Sequence, residues 1–160
     1  LAAGEKNAVD TLMNYWLIKS EAATYSIDHL KREKVTPWSG VRNYAARNFM
    51  MKMKKGDLML FYHSNANAGI YGIAKAASDP HPDESQFDKK KYHFEPRATR
   101  EKPVWYCVDV AFVEKFKEPM LRDEIKLDPT LAGMVVLTHP RLSVQPVSEK
   151  QFYHVRQIAH

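Results

Sequence analysis

The apolar residues of this chain come in short runs, and run length is what most limits the folds open to it. Residues 15–18, 58–62 and 70–76 are each a handful of residues long, and Ser64, Asn65, Asn67 and Gly69 supply an obvious turn between the last two. Runs this short suit buried strands, because a strand crosses a small domain in about five or six residues where a helix needs about ten or more. Residues 105–112 alternate, with Tyr106, Val108, Val110 and Phe112 on the more apolar side, which predicts a strand with one strongly apolar face. Gly72 leaves room within its run for something close by. Further strands are expected at 135–138 and 142–147.

Helical signals fall between these runs without regular alternation. Ser26 is placed to cap a helix carrying Ile27 and Leu30. Val41, Ala45, Phe49 and Met53, four apart, predict one apolar helical face, with Gly56 as the stop. Residues 120–127 form a short amphipathic pattern, Asp128-Pro129 opens one more turn, and Ser148 with Gln151 is a capping box for a last helix that buries Phe152, Val155 and Ile158. No GxGxxG or GxxxxGK[ST] motif occurs, which argues against a doubly wound nucleotide fold. The expected architecture is α+β, a curled sheet or small barrel of five to six mostly antiparallel strands with about five short helices. At 160 residues this is one domain, expected over 15–160 behind a poorly ordered extension at 1–14.

Composition removes whole classes of function. No stretch approaches the roughly 18 apolar residues of a membrane span. The single cysteine, Cys107, excludes an internal disulfide and a thiolate zinc site, and fits a reducing compartment. The seven histidines show no metal-binding spacing, so no metal and no cofactor are expected. His63-Ser64 is a poor base and nucleophile, since strand neighbours point to opposite faces. Cys107 reads as a core residue, and Asp83, Glu84 and Asp88 as solvated loop carboxylates.

Charge is uneven. The net charge is +5, yet Lys31, Arg32, Lys34, Arg42, Arg47, Lys52, Lys54 and Lys55 face only Glu33 in their stretch. Lys89, Lys90, Lys91, Arg97, Arg100 and Lys102 form a second basic stretch, within a polar segment over 79–103 that is far longer than an ordinary connection. Such clustering fits a phosphate-binding footprint and fits a solvated helix face equally well. Trp38 stands between Thr36-Pro37 and Ser39-Gly40, off any periodic face. An exposed indole there would stack on a nucleobase, with Ser20, Asn43, Asn65 and Gln145 as edge readers, or would staple the helix onto the sheet.

Five motifs in order then resemble those of the EVE domain family, in its single-domain type. They are Tyr15-Trp16-Leu17-Ile18-Lys19-Ser20-Glu21; Trp38-Ser39-Gly40-Val41-Arg42-Asn43-Tyr44 with Ala46-Arg47-Asn48; Leu60-Phe61-Tyr62-His63-Ser64-Asn65; Gln86-Phe87-Asp88; and Arg141-Leu142-Ser143-Val144-Gln145-Pro146-Val147. The resemblance implies a PUA-like curled mixed barrel, distantly related to YTH readers. It also implies a non-enzymatic, nuclear module that reads methyl- or hydroxymethylcytosine in DNA, less readily RNA, by flipping the base into an aromatic pocket; a monomer is expected. Carried over, that pocket comprises Trp38, Ser20, Asn43, Phe61, His63, Ser64, Trp105, Ser143 and Gln145, with Tyr92 or Phe94 as weaker choices for the opposing wall. Lys19, Arg42, Arg47, Lys52, Lys54 and Lys55 would contact phosphates. The chain departs from the family pattern at Ser39, where an acid is usual, and at Ala22, where a proline is usual. The alternative is a small PUA-like hydrolase of modified nucleosides that depends on His63.

Overall fold

A computed structural model describes residues 13–159; nearly all of the expected N-terminal extension lies outside them. In chain order the strands are β1 (Tyr15–Glu21), β2 (Val35–Pro37), β3 (Leu58–Ser64), β4 (Gly69–Ala76), β5 (His81–Pro82), β6 (Tyr106–Cys107), β7 (Asp109–Leu121) and β8 (Val144–Val147). The helices are α1 (Ile27–Glu33), α2 (Tyr44–Met50), α3 (Arg122–Leu127), α4 (Val135–Thr138) and α5 (Glu149–Ile158). Six strands make one sheet in the order β2-β7-β4-β3-β1-β8, while β5 and β6 pair separately. β1 and β3 run parallel and the other neighbours antiparallel, so the sheet is mixed. Register shifts at Phe61/Tyr62, Ile70/Gly72 and Ile73/Ala74 add local twist and curl the sheet into a half-barrel. The α+β curled sheet expected from the short runs is the fold observed.

β1 is apolar on successive residues because both its faces are buried. Tyr15 and Leu17 join Leu60, Tyr62, Phe116 and Phe152 in one core, while Trp16 and Ile18 join Ile27, Leu30, Met50, Phe61 and Val144 in the other. Gly72 is needed where β7 crosses, since a Cβ there would lie 2.3 Å from the Glu114 carbonyl oxygen.

Several elements differ from expectation for local reasons. Residues 135–138 are the helix α4 and not a strand; four residues are too few for periodicity to separate the two, and the place beside β1 is taken by β8. Asn43 caps α2 by accepting the Ala46 N–H at 2.9 Å; Ala46 and Met50 are buried, Phe49 packs half-buried against the same core, and Ala45 is exposed. β7 continues through Leu121, so α3 begins two residues later than the pattern predicts. The ladder breaks at Val108, leaving Cys107, Val108, Val110 and Ala111 buried while Tyr106 and Phe112 are half-exposed. In α5, Phe152 and Val155 are buried as expected, but Ile158 is 49% exposed and Ala159 closes the core.

Candidate functional site

Trp38 leaves the end of β2 with its backbone N–H held by the Val108 carbonyl at 2.9 Å. Its ring stands edge-on to Phe61 on one side, with centroids 5.6 Å apart, and edge-on to Tyr25 on another, at 5.8 Å. In front of it opens a groove of about 420 Å³ whose lining includes Ser20, Tyr25, Thr36, Trp38, Gly40 and Ser143. Ser20 lies on β1 and Ser143 immediately before β8, and the two segments are tied together where the Lys19 N–H donates to the Ser143 carbonyl at 2.9 Å. The groove therefore has aromatic walls and a rim of small hydroxyls, the composition that orients a flat heterocycle.

The residues expected to form the pocket divide into three groups. Trp38, Ser20 and Ser143 line the groove. Phe61 is fully buried and backs Trp38, and Ser64 bonds weakly through its hydroxyl to the Ser20 carbonyl, at 3.5 Å. His63 is buried too, stacked on Tyr71 at 4.0 Å, and its Nε2 accepts the Ile27 N–H at 3.1 Å. Asn43, Trp105 and Gln145 fall outside the lining. Asn43 is committed as the helix cap, and Trp105 stacks on Tyr44 at 4.9 Å while its Nε1–H donates to Glu95. Gln145 sits opposite Leu17, one residue out of step with Ile18 and Val144, and donates to the Leu142 carbonyl. Tyr92 is almost fully exposed and walls nothing; Phe94 is half-buried and outside the lining.

Among the residues missing from the expected pocket are Tyr25, in the groove wall, and Asp83, behind it. Tyr25 is the second aromatic wall; its hydroxyl is buried without a hydrogen-bond partner, and burial above all, with Glu33 adding to it, pushes its pKa to about 12. The signal present was an aromatic residue immediately before the Ser26 cap. Asp83, read as solvated, is fully buried and accepts hydrogen bonds from Gly40 N–H, the Arg42 guanidinium and Ser85. Gln86 organises the same segment, accepting from the Val104 and Trp105 N–H groups and donating to the Asp83 and Trp105 carbonyls. The long polar segment is thus pinned by buried side-chain amide and carboxylate groups, which no apolar pattern reveals.

The expected phosphate contacts also separate. Arg42 lines the groove but its guanidinium is committed: it pairs with Asp83 at 3.1 Å and donates to the His93 carbonyl at 2.6 Å, because a buried carboxylate requires a counter-charge. Arg47 donates to the Val104 carbonyl and covers the Tyr44 ring at 4.8 Å. Lys19 donates its Nζ to the Pro140 carbonyl at 2.8 Å, and burial lowers its pKa. Lys52, Lys54 and Lys55 are exposed and make no ion pair among the described residues, so they carry the free positive charge near α2.

A catalytic arrangement finds little support in the geometry. Cys107 lies 3.8 and 3.9 Å from the two ring nitrogens of His81, and burial pushes its thiol up to about 12, so it is held as the unreactive thiol. The Nε2 of His63 is spent on the backbone and burial lowers its pKa. No cluster of three or more potential metal ligands occurs among the described residues, and no described helix is long and apolar enough to cross a membrane.

Comparison with known proteins agrees with the fold. Human thymocyte nuclear protein 1 is 37% identical over 92% of this chain and 74% of that protein. A solved hypothetical protein from Leishmania major superposes with a TM-score of 0.88 at 42% identity, covering 92% of this chain and 94% of that one. Human THYN1, solved in complex with 5-methylcytosine-containing DNA, superposes with a TM-score of 0.84 at 36% identity, covering 91% and 96%. Residues 14–158 match the EVE domain, and the chain belongs to the EVE domain family.

Proposed function

We propose that this protein is a non-enzymatic DNA-binding module, acting in the nucleus, that reads 5-methylcytosine by drawing the base out of the duplex into the groove in front of Trp38. The observation that carries this reading is the groove itself: Trp38 and Tyr25 standing over a 420 Å³ space rimmed by Ser20 and Ser143. Trp38 offers a stacking surface to a base of any identity, Tyr25, nearly perpendicular to it at 79°, closes the side of the space, and the rim hydroxyls meet the polar edge. The complex of the related human protein with methylated DNA supports the same ligand class. Hydroxymethylcytosine fits the hydroxyl rim equally well in chemical terms. Discrimination rests on one small group, so a preference of about 1–3 kcal/mol is expected. Lys52, Lys54 and Lys55 supply sequence-independent attraction to the backbone.

The hydrolase alternative would need a base at His63, whose Nε2 is already an acceptor for the Ile27 N–H, and no observation favours it. The test is a titration at one fixed salt concentration against matched duplexes carrying cytosine, methylcytosine or hydroxymethylcytosine. The wild type prefers a modified duplex, and Trp38→Ala removes that preference while retaining weak, salt-sensitive binding. Equal losses on plain and modified DNA would remove the base pocket.

A further inference from the structure

A base drawn out of a duplex leaves a hole in the stack, and proteins that bend or open DNA commonly fill such holes with an inserted side chain. Trp38 and Tyr25 are packed into the groove wall and are not free to do this. Tyr92 is 96% exposed, the most exposed large hydrophobic side chain among the described residues, and its ring meets that of His93 edge-on, with centroids 5.1 Å apart.

Its loop is tightly built. The Lys90 N–H donates to the Asp88 carboxylate at 2.9 Å and the Lys91 N–H to the Asp88 carbonyl at 3.0 Å. The Phe94 N–H then closes on the Lys91 carbonyl at 3.1 Å, so Tyr92 and His93 are the two central residues of a turn. The turn is fastened to the groove wall through His93. A Cβ on Gly40 would lie 2.9 Å from His93 Cε1, and Arg42 holds the His93 carbonyl at 2.6 Å. Tyr92 is therefore displayed one residue, about 3.8 Å of chain, from a side chain that touches the groove lining. Lys89, Lys90 and Lys91 precede it, all exposed, and Lys91 borders a 300 Å³ cavity shared with Pro37 and Ser39, which also line the groove.

We propose that Tyr92 is a wedge that enters the base stack at the position vacated by the extruded base, with Lys89, Lys90 and Lys91 on the flanking phosphates. The partner surface is thus duplex DNA on both sides of the groove, and the wedge rests on the base-extrusion reading above. A wedge acts only where there is a stack to fill, which gives it a signature that an ordinary stacking contact lacks.

The experiment compares wild type, Tyr92→Ala and Tyr92→Phe on a methylcytosine duplex and on the single strand of the same sequence. Thermal melting serves as a folding control, and both variants fold because the ring packs against so little. Tyr92→Ala loses about ten-fold in affinity for the duplex, the lower range for one aromatic–base stack, and retains its single-strand affinity. Tyr92→Phe keeps both. Equal loss on the two substrates, or no loss on the duplex, overturns the wedge. Trp38→Ala measured in parallel keeps the two ideas apart. If it erases the preference for the modified base while Tyr92→Ala binds duplex normally, the wedge alone is wrong; if the preference survives Trp38→Ala, the pocket is wrong.

Discussion

The backbone N–H of Gly40 donates a 2.7 Å hydrogen bond to the buried carboxylate of Asp83, forty-three residues later in the chain. This bond joins the Trp38 loop to the polar segment that carries Tyr92. Burial favours the neutral acid at Asp83, but hydrogen bonds from Ser85, Gly40 and Arg42 outweigh it and hold the carboxyl below its ordinary range. Asp83→Asn leaves Arg42 without its counter-charge and is expected to cost about 3 kcal/mol in urea unfolding. Because the native pKa is depressed, this stabilisation is present above the ordinary aspartate range and is lost as pH falls through the native value. The difference between wild type and Asp83→Asn therefore shrinks under acid.

Gly40 has a φ of +89° and no space for a Cβ beside His93. Gly40→Ala combines backbone strain with a clash and should cost about 1–2 kcal/mol. Nuclear magnetic resonance shifts should move at both Trp38 and His93, since the residue couples them. Shift changes at one side alone would show that the two segments are independent.

Lys54 and Lys55 carry charges with no partner among the described residues. Replacing either by Ala should reduce the slope of log affinity against log salt by about 1 and weaken plain and methylated DNA alike. Arg42→Ala should instead lower the melting temperature, because its guanidinium serves Asp83 and the His93 carbonyl.

Burial lowers the pKa of His63, partly opposed by Asp28 and reinforced by Lys115. The native ring thus resists protonation, while the unfolded ring titrates near 6.5. Stability is full above that value and falls as pH drops through the native pKa, because the unfolded state takes up the proton first. Thermal melts from pH 7 to pH 5 should show this decline, and His63→Gln should flatten it. An unchanged slope in the variant would assign the pH dependence elsewhere.

Cys107 is 1% exposed, with its thiol pushed up to about 12 by burial and by Asp83 and Asp109. The folded protein at pH 8 should leave an aromatic disulfide reagent unreacted for hours, and denaturant should release one thiol at once. Rapid labelling of the native protein would mean that the segment holding β5 and β6 opens readily.

The local sequence determined the elements whose signals are themselves local. The four-residue apolar run of β1, the capping box of Ser148 and Gln151 and the turn around Asn65 are each specified by neighbours in the chain, and each stands where its residues predict. The indole at Trp38 and the serines at 20 and 143, singled out by separate motifs, line one groove. Tertiary structure alone decided which charges are free. Arg42 and Lys54 look alike in sequence, yet one answers a buried carboxylate forty-one residues away and the other faces water. It also decided that Asp83 is a core residue and Tyr25 a wall, and that 135–138 coils as α4. In each case the deciding energy is a long-range one, a counter-charge, a ring edge or an occupied sheet position, and a local pattern holds no record of the partner that supplies it.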